Sequence, residues 1–348
     1  MDIVTHGLAS LAVARGFFPR SGKLVIASAV LAGIFANIDW LSYYLGPETY
    51  LAWHHAYVHS ILTAVLLAAL IGALLPAVAK RKSRASGGGT QEESKPRVRG
   101  VIVSSFAAPI CTALLHVAAD ACQSSGVALF LPFSSRRFAA DWLPRIDPWI
   151  LTILVVTIAV PELLRLVSSE IGAKEKRPRG QMGAIVGLAL ILVYVGARAI
   201  LHSNVLAMMN ARTFHGETPR RVSAFPESLS VTTWEGIAET DSALNEIEVN
   251  LAASSTFDPD TSVRIFKPEA SPALEAARNT GTAKRFLVTA QVPKASVEKT
   301  ETGYVVVLRD LRYVTAGETQ REVAARIELD LNYKVRSEEL DWARDLPR

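Results

Sequence analysis

Cysteine is nearly missing: only Cys111 and Cys122 occur in 348 residues. One sits inside an apolar run and the other just past its end, so no disulfide framework follows and the redox compartment stays open. The N-terminus lacks the early positive charge of a secretory signal peptide. MDIVTHGLASLAVARGFF has an acid at its second position and its first basic residue only after the apolar stretch, so the segment is expected to be retained. There is no internal repeat. A concentrated basic face is missing too, because the pI near 9.1 arises from lysines and arginines in short loops between apolar runs. That distribution points to membrane orientation, and no nucleic acid is expected as a partner.

What is present differs between the two halves. Residues 1–205 carry 19 Lys+Arg against 11 Asp+Glu, whereas residues 206–348 carry 18 against 22. A bilayer-spanning helix needs about 20 mainly apolar residues, because lipid offers no partner to an unsatisfied backbone amide. Five segments satisfy this: 24–45, 56–79, 101–121, 149–167 and 182–201. A shorter apolar segment, 5–18, precedes them. The expected fold is therefore a membrane all-α bundle of five long spans plus a short N-terminal helix (residues 1–205). A linker (206–220) and a small soluble α+β domain with a mostly antiparallel sheet (221–348) follow. Pro161 is expected to kink the fourth span, with Glu162 beside it as a paired or snorkelling carboxylate.

Basic residues cluster at 15–23, 80–99 and 174–179, whereas the alternate loops 46–55 and 122–148 hold only Arg136, Arg137 and Arg145. Lys and Arg in short loops stay cytoplasmic. The alternate loops and everything after 205 are thus expected on the extracytoplasmic side. The stretch 80–100, Gly/Ser-rich and charged, reads as a flexible linker. Beyond 220, period-two alternation in EIEVNLAA, SVRIFK, RFLVTAQV, GYVVVLRDLRYV and AARIELDLNYKV predicts strands, and SPALEAARN predicts a helix capped by Ser271. No motif after residue 205 resembles a known one.

Five of the seven histidines, His6, His54, His55, His59 and His116, lie in or beside the apolar segments. Asp39 and Asp120 lie there too, and a central Asp in a membrane costs about 2.5–3.5 kcal/mol on insertion scales, so each needs a compensating partner. The topology brings Asp39, His54, His55, His59, His116 and Asp120 from three segments to one membrane face, and His6 joins them if segment 5–18 runs from outside to inside, which the basic residues permit. His55/His59 and His116/Asp120 are each spaced four apart, which on a helix points both members to one side. Imidazole with carboxylate is a ligand set for Zn²⁺, with Mn²⁺ or Fe²⁺ as alternatives. A second metal is compatible with this many candidates. His202 and His215 read as a helix-end and a linker residue, and Arg198 as snorkelling or facing an anionic substrate.

The segments DIVTH (2–6), ANIDWL (36–41), HHAYVHS (54–60), HVAAD (116–120) and LPFSSRRFAADW (131–142) resemble the YdjM-like family of membrane-bound metal-dependent hydrolases. The resemblance implicates Asp2, His6, Asp39, His54, His59, His116 and Asp120. Three positions depart from the family pattern: Asn37 stands for an Asp, His55 for an Arg and Val58 for a Thr. The family is in turn similar, in its scattered His and Asp ligands on a helical scaffold, to zinc-dependent phospholipases C and nucleases, which implies phosphoester hydrolysis.

The resulting expectation is a hydrolase in a bacterial inner membrane, with metal ligands His6, Asp39, His54, His59, His116 and Asp120 and with catalytic roles for Asp2, Asp39 and His59. Asp141 is an alternative general base, and Arg136 and Arg137 are candidate phosphate-binding residues. Its partners are the lipid bilayer and a lipid-linked or envelope substrate, the oligomeric state being open. The competing expectation is a transporter or metal- or proton-handling protein using the same cluster. A third makes the site a structural pin between helices.

Overall fold

A computed structural model describes residues 1–85, 95–170, 180–253, 257–312 and 322–343. The chain divides into two compact units, Met1–Asp39 with His55–Ala197, and Trp40–His54 with Arg198–Arg348.

The first unit is helical. Helix α1 (Ile3–Phe17) starts at Asp2, whose carboxylate accepts from Val4 N (3.0 Å), Thr5 N (2.9 Å) and Thr5 Oγ1 (2.5 Å), satisfying amides that no preceding turn can reach. Helix α2 (Lys23–Phe35) runs into a 3-10 segment, Ala36–Leu45. After α3 (Pro47–Trp53), which belongs to the other unit, come a 3-10 turn (Tyr57–His59), α4 (Ile61–Ala85), α5 (Lys95–Ala121), α6 (Pro148–Glu170) and α7 (Gln181–Asn210). Small residues line the interfaces: Ala14, Ala29, Ala64, Ala68 and Ala108 are buried. Lipid gives helices no hydrophobic reason to associate, so close backbone approach and dispersion must hold them together. Gly33 is the tightest case, since a Cβ there would lie 1.8 Å from Ser10 Oγ of α1.

Three helices are long and apolar enough to cross a membrane, Lys23–Leu45, Val103–Ala121 and Gln181–Asn210. A fourth span arises if Pro47–His59 and Ile61–Leu74, bent by 64°, count as one. The count among the described residues is thus three or four, and the five long spans expected from hydropathy are not confirmed. Ile3–Phe17 is a shorter apolar helix, and Pro148–Leu164 is a shorter apolar stretch of α6. The expected span at 56–79 is broken at its start, where His54–Ser60 holds only a 3-10 turn between bends. Irregular backbone at such depth is tolerated where protein satisfies it. Here Ala128 N–H donates to His55 C=O and Ile61 N–H to Leu129 C=O, both at 3.0 Å. The Gly/Ser-rich linker read at 80–100 has its centre, 86–94, outside the described residues, and helices flank it. Glu162 is paired, 3.2 Å from Arg15.

The second unit holds two four-stranded antiparallel sheets in sequential order. The first comprises β1 (Arg221–Pro226), β2 (Thr233–Glu239), β3 (Ala243–Asn250) and β4 (Val263–Phe266). Helices α8 (Pro272–Arg278) and α9 (Gly281–Thr289) precede the second, β5 (Pro293–Thr300), β6 (Gly303–Asp310), β7 (Val323–Asp330) and β8 (Val335–Trp342). The helix predicted from SPALEAARN is α8, with Ser271 Oγ accepting from Leu274 N. The strand predicted from RFLVTAQV is instead mostly α9. Thr280 caps it by accepting from Ala283 N (3.2 Å), and Thr282, Ala283 and Phe286 bury one face at helical spacing. Ala277, Ala283 and Phe286 share a core with Val306, Leu308 and Ile327 of the second sheet. The excursion Trp40–His54, read from sequence mainly as a short loop, enters this core through Tyr50, and the rings of Tyr43 and Tyr50 lie 4.6 and 5.4 Å from that of Trp342.

Arg198 neither snorkels nor faces a substrate here. It is fully buried, its guanidinium lies 4.3 Å over the Trp234 ring, and it donates to Ser230 O (3.0 Å) and Val231 O (2.6 Å). His202 Nε2 lies 3.1 Å from Ala224 O and His215 Nε2 lies 3.1 Å from Ser262 Oγ, both structural contacts.

Candidate metal centre

In the first unit, α1 contributes His6, the end of the α2 segment Asp39, the unwound stretch His55 and His59, and the last turns of α5 His116 and Asp120. His6, His59, His116 and Asp120 are 3, 1, 2 and 1 % exposed, so none is open to bulk water. Asp120 is the hub. Its Oδ1 lies 3.1 Å from His6 Nε2 and also accepts from the Met1 amine, which in turn donates to Gln123 Oε1 at 2.9 Å. Its Oδ2 lies 3.2 Å from His59 Nε2 and 3.1 Å from His116 Nε2. The rings of His6 and His116 stack at 3.7 Å.

The outward nitrogens of two imidazoles are held from behind. His116 Nδ1 lies 2.7 Å from Gly33 O, and a carbonyl can only accept, so that nitrogen carries the proton and Nε2 presents its lone pair. His59 Nδ1 lies 3.2 Å from Asp39 Oδ2, within ion-pair distance but without an aligned hydrogen bond. The two Nε2 atoms stand 3.1 Å apart, with Asp120 Oδ2 beside both. That oxygen accepts no well-aligned hydrogen bond among the described residues. Such a convergence of buried basic atoms is satisfied either by a cation between them or by a protonated imidazole that donates to Asp120. Bonds of about 2.0–2.2 Å to a tetrahedral ion put neighbouring ligand atoms about 3.4 Å apart, close to the 3.1–3.2 Å seen here. Two groups of side chains could hold a metal ion, His6/His116/Asp120 and His55/His59/Asp120, with Asp120 common to both.

The expected residues therefore separate. His6, His59, His116 and Asp120 come together, and His55 joins them from a left-handed backbone (φ 55°), its ring 4.7 Å from that of His59. The His116/Asp120 pair does project from one side of a helix, whereas His55/His59 converge through a turn that no helical spacing describes. Asp39 stands behind His59 and also accepts from His55 N (2.7 Å), so it closes the point where the excursion 40–54 leaves and returns. It is in neither metal group. His54 belongs to the second unit, stacked 4.5 Å from Tyr50, and Asp2 spends its carboxylate on the cap of α1. Asp141 also takes a left-handed backbone (φ 57°). Arg136 is exposed, 5.3 Å from the Phe138 ring, and Arg137 is half-buried. Their loop is tied to the site through the pairing of Val127 with Phe138 and the bond from Ala128 N to His55 O. Gly33 was missed because its contribution is a backbone carbonyl. Its trace in the sequence is a glycine within an alanine-rich apolar run.

Comparison with curated proteins and with solved structures returned no match. Residues 272–346, in which the sequence showed no familiar motif, match the YfhP C-terminal alpha/beta plait domain. Residues 1–205 match the family described as YdjM inner membrane protein, as the motifs at Asp2, His6, Asp39, His59 and His116 implied, and the chain belongs to that family.

Proposed function

We propose that this protein is a membrane-embedded, metal-dependent hydrolase of an ester or phosphoester. The observation that carries the reading is the convergence of His59 Nε2, His116 Nε2 and Asp120 Oδ2, each imidazole braced from behind by Asp39 or by Gly33 O. The ligands in this reading are His6, His55, His59, His116 and Asp120, and the nitrogen and oxygen donors favour Zn²⁺. Asp39 positions His59. An ion held there supplies Lewis acidity and acidifies a bound water toward neutral pKa. Burial of the cluster keeps bulk water from competing for these groups. Arg136 and Arg137, on the loop tied to His55, are the cations this reading assigns to an anionic phosphate.

An extracytoplasmic site is supported by helix α5. Lys95, Arg97 and Arg99 stand at its start and Asp120 at its end, roughly 38 Å apart along a helix rising 1.5 Å per residue. That length separates the two faces of a bilayer. A second reading, proton or ion handling, rests on the relay Asp39–His59–Asp120–His6, whose steps are 3.2, 3.2 and 3.1 Å.

The test is hydrolysis of bis(p-nitrophenyl) phosphate and of phospholipid by purified protein supplied with Zn²⁺, Mn²⁺ or Fe²⁺. Metal-dependent turnover abolished by His59→Ala and by Asp120→Asn is expected. Turnover equal in wild type and both variants, or proton flux in liposomes without any hydrolysis, overturns the reading.

A further inference from the structure

His6 and His116 also form part of the wall of a cavity of about 880 Å³ bounded by α1, α5, α6 and α7. Its α1 wall is a single helical stripe, Thr5, His6, Ala9, Ser10, Val13 and Phe17. From His6 to Phe17 this stripe runs roughly 16 Å at 1.5 Å per residue. No Asp, Glu, Lys or Arg side chain lines it, and the opposing surfaces are apolar, Leu115 of α5, Ile150 of α6 and Leu188 of α7 among them. The hydroxyls on the wall are engaged elsewhere, Thr5 Oγ1 with Asp2 and Ser10 Oγ with His6 O at 2.7 Å. The imidazoles, with the Met1 amine beside them on Asp120, thus supply the polar chemistry at one end. Far along the stripe, Phe17 is 66 % exposed, as is Leu192 at 75 % on the facing helix, so this part of the wall lies open to the surroundings.

Such a space suits one kind of occupant. At about 30 Å³ for a group the size of a water, it holds on the order of 30 such groups, enough for one long alkyl chain or the pair on a diacyl lipid. Resting on the hydrolase reading above, we propose that the cavity is the alkyl-chain subsite of the metal centre. The substrate class is then a membrane lipid ester or phosphoester whose scissile bond lies at His6 and His116. A chain entering from a bilayer exchanges one apolar medium for another and gains little affinity. What the cavity supplies is register, because misplacing a reacting bond by about 1 Å costs on the order of 100-fold in rate. Hydrolysis breaks the ester C–O or P–O bond, water's hydroxyl joining the acyl or phosphoryl group and its proton the departing alkoxide, with no further co-reactant.

The experiment uses the full chain in phospholipid nanodiscs with a phosphatidylethanolamine carrying a diazirine at the end of one acyl chain, and maps the photolabelled peptides. Ala118→Trp and Leu192→Trp fill the cavity from two helices at exposed positions, and unchanged metal content in both reports an intact fold. Label concentrated on the cavity faces of α1 and α5 and reduced to background in both variants is expected. Label spread evenly over the exposed helix surfaces and unaltered by either tryptophan overturns the proposal, since the lipid is then only solvent. Hydrolysis separates the two claims. A fall in phospholipid turnover relative to bis(p-nitrophenyl) phosphate in the variants supports the subsite, and an unchanged ratio overturns it. Specific labelling without hydrolysis of either substrate sustains the subsite while removing the hydrolase reading.

Discussion

Replacing Asp39 by Asn tests the bracing of the centre without removing a metal ligand. The carboxylate accepts from His55 N at 2.7 Å and lies 3.2 Å from His59 Nδ1, both through Oδ2. Asn preserves shape and volume, and its carbonyl can keep the His55 amide. Through that same Oδ2 position the carbonyl also faces His59 Nδ1, but as a neutral acceptor in place of a carboxylate, so the charge that raises the basicity of His59 as a ligand is lost. Losing such a bracing partner costs roughly 10–100-fold in metal affinity, or about 1.4–2.7 kcal/mol. His116→Ala removes a donor atom outright and is expected to cost more. The assay is chelator competition on protein in detergent, reading the free-metal concentration at half occupancy for wild type, Asp39→Asn and His116→Ala. An Asp39→Asn affinity within twofold of wild type refutes the bracing role, and a loss equal to that of His116→Ala makes Asp39 a ligand.

Three further outcomes follow from the packing and charges. Gly33→Ala places a methyl 1.8 Å from Ser10 Oγ and displaces the carbonyl that holds His116, so thermal stability in detergent should drop by about 1–3 kcal/mol and metal retention should fall with it. Ser10→Gly in the same chain should restore part of both, and no recovery contradicts the steric account. Arg198→Met leaves two carbonyls without their donor and should destabilise the second unit by about 3 kcal/mol, seen in the fluorescence of Trp234 on denaturant unfolding. Arg198→Lys should recover little, because an ammonium cannot reproduce the planar stack on the indole. Glu322 is buried, which raises its carboxyl to about 7 against Asp310 nearby and despite Arg309 and Lys294. The folded state therefore binds its proton more tightly than the unfolded chain, and stability present below about pH 4.5 is lost as pH rises through 7. Glu322→Gln should remove that decline, a gain on the order of 1–2 kcal/mol at pH 8 after screening is allowed for. Parallel pH–stability curves for variant and wild type refute this.

The parts of the centre legible in the sequence are those carried by regular helix. His116 and Asp120, four apart in an uninterrupted apolar segment, fall on one side of α5 by spacing alone. The need of Asp120 for a partner followed from the cost of a buried carboxylate. His6 was legible because a short segment in the right direction brings its start to the same face. Residues 54–60 were not, because local spacing says nothing once the backbone turns left-handed at His55. The division between His59 at the cluster and His54 in the other unit depends on the bends there. The role of Asp39 depends on which imidazole nitrogen it meets, and that of Gly33 on a carbonyl that every residue possesses. In the second unit, alternation identified β3, β4, β6 and β7. It misread α9, where a run of apolar residues is too short for period two and period 3.6 to differ and the Thr280 cap settles the matter. The assignment of Trp40–His54 to the second unit rests on long-range aromatic contacts between Tyr43, Tyr50 and Trp342.

The central claim is that the buried histidines and Asp120 hold a metal ion. Elemental mass spectrometry on detergent-purified protein, comparing wild type with His116→Ala/Asp120→Ala, addresses it directly. Near-stoichiometric transition metal in the wild type, falling to trace in the variant while both remain folded, is the result predicted. Equal trace metal in both would contradict it and leave the cluster as a proton relay or a structural pin between helices.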